Sequence, residues 1–219
     1  MKSIVVFDLD GTLIKGQSQR LFLNYVFKKR MIGSLPYARI ISWFVLRKIG
    51  IAHHPRKTME YGFRFLQGLD TSQFDRMIGD FFSKSLQHAF FRNAKELVQK
   101  HNNGRSEIML VSNAIEPIVK KAGSHLGIKN CVGTKLEIKN NKLTGKIAGN
   151  IMLGFNKIHP IKSHVANNNL TLADSWAYSD HISDLPVMEM VSNPVAVNPE
   201  RNLHRKAINR NWPVLMLKK

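Results

Sequence analysis

The chain has 219 residues, of which 43% are hydrophobic and 22% charged, which is the composition of a folded globular protein rather than a disordered or fibrous one. It carries 33 lysines and arginines against 15 aspartates and glutamates, and this net charge of +18 predicts attraction to anions, whether nucleic acid, a membrane face or small molecules. The lone cysteine, Cys131, excludes an internal disulfide and predicts a reducing, cytoplasmic setting.

The first predicted element is a buried strand that ends in two aspartates. Apolar residues 4–7 run directly into the sequence DLDGT at residues 8–12. A short continuous apolar run is typical of a strand buried on both faces of a parallel sheet, and such sheets bind ligands beyond the carboxyl ends of their strands. Asp8 and Asp10 could there bind a hard cation, or one could attack phosphorus while the other moves a proton. The alternative is a structural turn.

Residues 15–87 show no strand-like alternation and are expected to be helical. Glycine and proline separate four predicted helices at residues 19–30, 36–49, 55–66 and 71–87. Because this segment follows the first strand, we expect it to form a cap domain, residues 15–87, over a core domain made of residues 1–14 and 88–219.

The positive charge is concentrated in this cap. Residues 15–64 contain eleven lysines and arginines, eight aromatic residues and a single acid, Glu60. The most apolar run, residues 40–46, is far shorter than the roughly 20 residues that span a bilayer. Two interpretations stay open: a cap core with a solvated basic rim, or an interfacial helix whose aromatic side chains dip into lipid.

Beyond the cap, strands and helices alternate, which predicts a doubly wound, mostly parallel sheet. The strands are predicted at residues 107–111, 131–134, 175–179, 194–197 and 214–217, with a hairpin of residues 135–138 and 142–147 turning at Asn140 and Asn141. The helices are predicted at residues 93–101, 116–126, 159–167, 184–190 and 203–209.

Two places in this region could bind phosphate. Ser112 ends an apolar strand and is followed by Asn113, and a hydroxyl with the next free N–H suits phosphate oxygens. Ser112 could instead cap the next helix. Lys157 precedes a helix and could neutralise the charge that a phosphate and carboxylates bring together.

A pair of aspartates follows the predicted strand at residues 175–179. Asp180 could ligate Mg²⁺ directly, whereas Asp184 could hold its waters, orient Lys157 or act as a helix N-cap. A carboxylate site suits Mg²⁺ better than it suits an imidazole-bound metal, so His181 is left without a role.

Taken in order, DxDGT, the strand-end Ser112, Lys157 and the DxxxD of residues 180–184 resemble the four motifs of the haloacid dehalogenase (HAD) superfamily. The resemblance covers essentially the whole chain and is strongest to the phosphoserine-phosphatase-like subclass. It implies a Rossmann-like core domain with a helical cap.

The resemblance implies a role for each matching residue. Asp8 would form an aspartyl-phosphate, and Asp10 would protonate the leaving group and then activate water. Mg²⁺ would be bound by Asp8, Asp10 through its backbone carbonyl, and Asp180, with Asp184 in support. The phosphoryl group would be held by Ser112, Asn113 and Lys157.

Some positions depart from the family pattern. Ser179 stands where glycine is common, and residues 15–19 offer no acid to read a substrate amine, which argues against phosphoserine. We expect a Mg²⁺-dependent phosphatase of a small anionic metabolite. The alternatives are a lipid-phosphate phosphatase at the inner membrane face and a catalytically idle, basic nucleic-acid-binding protein. The sequence argues against the nucleic-acid-binding alternative, because it contains no recognised nucleic-acid-binding module and retains all the expected catalytic residues.

Overall fold

A parallel sheet whose central strand is the N-terminal one organises the computed structural model, which describes residues 1–48 and 55–218. Within these residues the sheet has seven strands in the order β4-β3-β2-β1-β5-β6-β7. The strands are Ser3–Phe7 (β1), Ser106–Ile115 (β2), Asn130–Lys139 (β3), Lys142–Ala148 (β4), Thr171–Ser179 (β5), Asn193–Val197 (β6) and Val214–Leu215 (β7). All neighbours pair in parallel except β3 and β4, which form an antiparallel hairpin.

Helices lie between the strands, and the α-helical segments of the described residues are Ser18–Lys28 (α1), Ser34–Lys48 (α2), Pro55–Phe63 (α3), Thr71–Lys84 (α4), Ala94–Gln99 (α5), Glu116–Leu126 (α6), Ile158–Asn167 (α7), Leu185–Met188 (α8) and Arg201–Asn209 (α9). Short 3₁₀ turns occupy Arg64–Leu66, Leu86–Ala89, Gly154–Lys157 and Ile182–Asp184. The predicted fold class, a mostly parallel α/β sheet with a helical insertion, is confirmed.

Alternation along β1 builds both hydrophobic cores. Ile4 and Val6 point to one face of the sheet, where they join a cluster with the buried faces of α7 and α9. Val5 and Phe7 point to the other face, where the cluster extends into α1, α4 and α6. A strand that is buried on both faces accounts for the uninterrupted apolar run from which it was predicted.

Several boundaries differ from those predicted, because pairing and packing outside each segment decide where it ends. The strand predicted at residues 107–111 continues to Ile115, which pairs with Thr134 of β3 after an irregularity. The segments 131–134 and 135–138 are one strand, β3. The helix predicted at 71–87 ends at Lys84 because Ser85 leaves helical geometry. The end of the helix predicted at 36–49 lies outside the described residues.

The remaining boundaries shift by a few residues. The helices predicted at 55–66 and 184–190 divide into a 3₁₀ turn and a shorter α-helix, and the strand predicted at 214–217 pairs only over Val214–Leu215. The hairpin turn is as predicted, since Asn140 and Asn141 both adopt a positive φ, of 48° and 63°.

Helices α1 to α4 are inserted between β1 and β2, and the insertion contacts the β3–β4 hairpin. Arg56 of α3 donates to the carbonyl oxygens of Ile147 at 2.6 Å and Gly149 at 2.8 Å. The Leu143 N–H donates to the Leu69 carbonyl oxygen, and the Leu143 carbonyl oxygen accepts from the Gly68 N–H. The division of the chain at residues 14/15 and 87/88 stays a prediction.

The described aromatic residues of the insertion belong to the larger hydrophobic core or pack against it. Phe22, Tyr25 and Phe63 are at most 7% exposed, as expected for a cap core rather than a lipid-facing surface. The side chains of Trp43 and Phe44 lie outside what the structure describes. In the described residues, no helix is both long and apolar enough to cross a membrane.

Candidate active site

Three neighbouring strands deliver their polar residues to one edge of the sheet. The last residue of β1 pairs with Leu110 of β2 and with Tyr178 of β5. Asp8, Ser112 and Asp180 come one or two positions further along these strands. Strands β2, β3 and β4 lie on one side of β1, whereas β5, β6 and β7 lie on the other. The strand order therefore reverses beside β1, at the end of the sheet that carries these residues. Ligands of open α/β sheets bind at such a point.

Lys157 makes a buried ion pair with two carboxylates. Its ammonium nitrogen lies 2.7 Å from Asp8 Oδ1 and 2.7 Å from Asp184 Oδ2, and the three side chains are 4%, 10% and 5% exposed. The 3₁₀ turn Gly154–Lys157 carries the lysine to this position. The pairing brings together residues that are 149 and 27 positions apart. All three residues were predicted to share one site, and the structure joins them directly.

Asp184 orients the lysine and does not cap its own helix. It occupies the N-cap position of α8, yet its side chain makes no capping hydrogen bond. Its Oδ2 atom also accepts a hydrogen bond from Ser179 Oγ at 2.8 Å. Its Oδ1 atom is buried and has no hydrogen-bond partner among the described residues. Of the alternatives predicted for Asp184, the helix N-cap is wrong, the contact with Lys157 is present, and the unpartnered Oδ1 atom fits the binding of metal waters.

Asp180 packs against the turn that follows β1. Thr12 Oγ1 donates to Asp180 Oδ1 at 3.4 Å. Gly11 has a φ of +82°, and a Cβ atom built on it would overlap the Asp180 carboxylate, at 2.5 Å from its Cγ. The glycine is thus required twice, for the left-handed turn and for the close approach of the Asp180 carboxylate.

Asp10 faces the first turn of α1. Its Oδ1 atom accepts a hydrogen bond from the backbone N–H of Ser18 at 2.8 Å, so the first N–H group of the helix fixes the carboxylate. The Ser18 hydroxyl is buried and lacks a hydrogen-bond partner within the described part of the chain. No role for Ser18 was predicted, although a serine ahead of a helical segment is an ordinary capping signal.

Ser112 and Asn113 lie in β2 and not at its end. Ser112 is fully buried, and its Oγ atom accepts a hydrogen bond from the Ala114 N–H at 3.2 Å. The hydroxyl proton of Ser112 is therefore available to another acceptor. The backbone oxygen of Asn113 accepts bonds from Gln19 and Thr134, while its side-chain Oδ1 atom is buried without a partner in residues 1–48 and 55–218. Ser112 does not cap α6, which begins four residues later.

Burial and mutual repulsion raise the pKa of three carboxyl groups. Burial raises the pKa of Asp8 to about 7, and the charges of Asp184 and Asp10 act in the same direction against the attraction of Lys157. Burial raises the pKa of Asp180 to about 8, with the charges of Asp8 and Asp184 adding to it. Burial also raises the pKa of Asp10 to about 6, although the hydrogen bond from the Ser18 N–H opposes this.

Lys157 keeps its proton. Burial alone lowers the pKa of its ammonium group, but the adjacent charges of Asp184 and Asp8 more than compensate and raise it above the usual value. Four carboxyl groups, those of Asp8, Asp10, Asp180 and Asp184, therefore interact around one ammonium group.

Four carboxyl groups beside one ammonium group would carry excess negative charge when ionised, and a bound cation would neutralise it. No group of three or more His, Cys, Asp or Glu side chains in residues 1–48 and 55–218 has the arrangement of a metal-binding cluster. The predicted set needs only two carboxylates, those of Asp8 and Asp180, together with the backbone oxygen of Asp10. Mg²⁺ is a hard cation that prefers oxygen ligands, and its charge would offset the repulsion between these carboxylates. Lys157 and Ser179 hold Asp184 through its Oδ2 atom, and its unpartnered Oδ1 atom could accept a hydrogen bond from a metal-bound water, which is the supporting role predicted for it.

His181 and Cys131 make local structural contacts. His181 Nδ1 accepts a hydrogen bond from the Ser183 N–H at 3.1 Å and caps the 3₁₀ turn Ile182–Asp184, and its Nε2 lies 3.4 Å from Glu200. Burial raises the pKa of the Cys131 thiol to about 11, so this side chain stays a neutral thiol in the packing of β3.

Comparison with known proteins identifies the family of the chain. Residues 5–189 match the family model described as haloacid dehalogenase-like hydrolase. A histidinol-phosphatase of Neisseria meningitidis serogroup C (strain 8013) is 28% identical over 234 residues, which cover 100% of both chains.

Two solved structures share the fold. A Bordetella pertussis Tohama I protein of unknown function superposes with a TM-score of 0.89 at 21% identity, covering 98% of this chain and 99% of the other. A phosphoserine phosphatase holding a phospho-aspartyl intermediate analogue gives a TM-score of 0.70 at 17% identity, covering 100% and 94%. The predicted family and enzyme class, a phosphatase of the HAD type, are confirmed: the chain belongs to the haloacid dehalogenase-like hydrolases.

Proposed function

We propose that the enzyme hydrolyses a small phosphomonoester in two steps through a phosphoryl group carried on Asp8, with Mg²⁺ as its cofactor. The observation that carries the proposal is the buried contact of Lys157 with both Asp8 and Asp184, at 2.7 Å each, beside Asp10 and Asp180. Phosphoryl transfer needs mainly alignment and charge neutralisation, and this arrangement supplies both.

In the first step, Asp8 attacks the phosphorus atom. Lys157 binds Asp8 Oδ1, so the other oxygen, Oδ2, is the one available for attack. The Oδ2–phosphorus bond forms while the bond from phosphorus to the ester oxygen breaks. Asp10, with a pKa of about 6, delivers its proton to that ester oxygen, and the substrate leaves as an alcohol.

In the second step, water attacks the phosphorus atom of the aspartyl-phosphate. Asp10, now ionised and still fixed by the Ser18 N–H, accepts a proton from the water. The Asp8 Oδ2–phosphorus bond breaks, inorganic phosphate forms, and both carboxyl groups return to their starting states. One residue therefore serves as acid and then as base, which a pKa near neutrality permits.

Ser112 and Lys157 are positioned to hold the transferred group. The Ser112 hydroxyl accepts from Ala114 and can donate its proton to a phosphoryl oxygen. Lys157 contributes its positive charge from a buried position, where water screens it little. Bound by the Asp8 and Asp180 carboxylates and the Asp10 carbonyl oxygen, Mg²⁺ would supply the remaining charge neutralisation at the phosphoryl oxygens.

For the substrate, we infer a small phosphorylated metabolite. This inference rests on the relatives, which include a histidinol-phosphatase aligned along its full length. Residues 15–19 and the first turn of α1 contain no acid, which argues against recognition of a substrate ammonium group at that turn. The described aromatic side chains of the insertion are packed inside, so no observation at the site favours a lipid substrate.

The test is a panel of phosphomonoesters assayed with Mg²⁺. It should contain amino-alcohol, sugar, nucleotide and lipid phosphates, and each compound should be measured with and without chelator. We expect Mg²⁺-dependent phosphate release that the substitution Asp8→Asn abolishes. Release that survives either the chelator or Asp8→Asn would contradict the proposal, and a preference for lipid phosphates would overturn the inferred substrate class.

A further inference from the structure

The turn between α1 and α2 lies in a strongly basic part of the sequence. Residues 11–59 contain ten lysines and arginines and no aspartate or glutamate. Three of these cations, Lys28, Lys29 and Arg30, are consecutive and exposed where α1 ends. Lys29 contacts Asp80 at 3.2 Å, whereas the described part of the chain places no acid within ion-pair distance of Lys28 or Arg30.

Two large apolar side chains project from the same turn. Leu35 is 83% exposed and Met31 is 43% exposed. Exposed apolar side chains are ordinary when scattered singly, but here they stand among cations within nine residues, 28–36. We call residues 28–36 the basic corner.

The basic corner is held in shape by its own packing. The rings of Phe27 and Tyr37 stack with their centroids 4.0 Å apart, which fixes the first turn of α2 against the last turn of α1. The Tyr37 hydroxyl donates to Asn24 at 2.9 Å, and Ile32, between the two exposed apolar residues, is only 8% exposed. Met31 and Leu35 are thus displayed to solvent by an ordered turn.

We propose that the basic corner docks the protein on an anionic lipid surface. Met31 and Leu35 enter the headgroup region, and Lys28 and Arg30 contact lipid phosphates. Apolar insertion combined with basic side chains is the pair of signals that stable peripheral binding requires. A single-stranded nucleic acid would instead need aromatic faces for its bases, and Phe27 and Tyr37 are stacked on each other.

Docking at this corner is separate from catalysis. Helix α1 has 11 residues and is therefore about 16 Å long. Its first residue, Ser18, contacts Asp10, and its last, Lys28, belongs to the basic corner. Substitutions in the corner should leave the hydrolysis of a water-soluble ester unchanged. The proposal therefore stands or falls independently of the proposed function.

The experiment measures vesicle flotation of the full chain with phosphatidylcholine vesicles, with and without phosphatidylglycerol. Two double variants remove the signals: Met31→Ser with Leu35→Ser, and Lys28→Gln with Arg30→Gln. Two matched controls remove the same side-chain types elsewhere: Ile208→Ser with Met216→Ser, and Arg201→Gln with Arg205→Gln. These control side chains are also exposed. A melting curve for each variant verifies folding without reference to activity.

We expect the wild type to float only with phosphatidylglycerol. The cation variant should bind roughly fivefold more weakly for each charge removed, and the apolar variant should also lose binding, while the controls stay within about twofold. Failure to float, equal losses in corner and control variants, an apolar variant that binds like wild type, or binding of RNA without binding of vesicles would each overturn the proposal.

Discussion

Gly11 and Asp180 are in contact across the two strands that bound the site, and the contact leaves no room for a side chain. A Cβ atom on Gly11 would lie 2.5 Å from the Asp180 Cγ atom, and φ at Gly11 is +82°. The turn after β1 and the turn after β5 therefore fit together only because residue 11 is glycine. This close approach brings the carboxylates of Asp8 and Asp180 within each other's electrostatic influence.

Gly11→Ala should disable the site, and Gly16→Ala provides the control. Gly16 has a nearly identical φ of +81°, but no described atom lies within 4 Å of the position that its Cβ would take, so its substitution incurs the backbone strain alone. We expect Gly11→Ala to lower kcat/KM at least about 100-fold, because displacing a reacting group by about 1 Å has a cost of that order. Gly16→Ala should change kcat/KM less than about threefold. Equal effects in the two variants would refute the role of the Asp180 contact.

Lys157→Met should be strongly destabilising at alkaline pH. Removing one partner of a buried ion pair typically costs about 3–5 kcal/mol, here because Asp8 and Asp184 lose the charge that both contact. The loss in free energy of unfolding should become smaller towards acidic pH, because the carboxyl groups take up protons. Urea unfolding at several pH values measures this free energy, and Lys162→Met on the exposed side of α7 is the control.

Lys157→Arg should not restore activity. One ammonium nitrogen makes both contacts at 2.7 Å, and the broad planar guanidinium group does not fit that geometry. Wild-type-like turnover by the arginine variant would show that only the charge matters at this position.

Ser179→Ala should loosen Asp184. The hydroxyl donates to Asp184 Oδ2 at 2.8 Å in a buried position, and a hydrogen bond to a charged group contributes about 1.5–3 kcal/mol. We expect a loss of folding stability of that size and a fall in kcat of about tenfold. The reason is that Asp184, once released from Ser179, holds the Lys157 ammonium group less firmly. Ser183→Ala, which removes a hydroxyl bonded to His181 in the next turn, should leave kcat near wild type.

The metal-free protein should lose stability as the pH rises. The pKa values of Asp10, Asp8 and Asp180 are raised in the folded state to about 6, 7 and 8. The folded state thus holds protons that the unfolded chain has released above about pH 4. The associated stability is complete below about pH 4 and is lost as the pH passes through about 6 to 8.

Thermal melting with and without Mg²⁺ measures this effect. We expect the melting temperature of the metal-free protein to fall by at least about 5 °C between about pH 5 and about pH 8. Mg²⁺ should restore it at the higher pH and change little at the lower one, because only ionised carboxylates bind the cation. A melting temperature that rises with pH, or a Mg²⁺ effect independent of pH, would contradict the account.

Local sequence patterns were sufficient to single out the candidate site residues, because each follows an apolar run that could be recognised as a strand or precedes a helix. Asp8 after β1 and Asp180 after β5 are examples, and the structure places both at the same edge of the sheet. The burial of Phe22 and Tyr25 was not predictable, because the same helical pattern serves a packed cap and a lipid-facing helix.

Contacts between distant segments account for what the sequence did not show. The extension of β2 to Ile115 depends on its pairing with Thr134, and the role of Ser18 depends on α1 returning to Asp10. The bond from Ser179 to Asp184 turns an unusual residue in the motif into a support for Lys157. Apart from the serine ahead of a helical segment, which is an ordinary capping signal, these contacts leave no local pattern in the sequence.

The most direct test of the account is to trap the covalent intermediate. The enzyme is mixed with its best substrate and Mg²⁺, quenched in acid during turnover, and reduced with borohydride, which converts an aspartyl-phosphate to homoserine. Peptide mass spectrometry should find homoserine at position 8 in the quenched sample and none when substrate is omitted. Turnover without homoserine at position 8, or with homoserine at another aspartate, would contradict the assignment of Asp8 as the nucleophile.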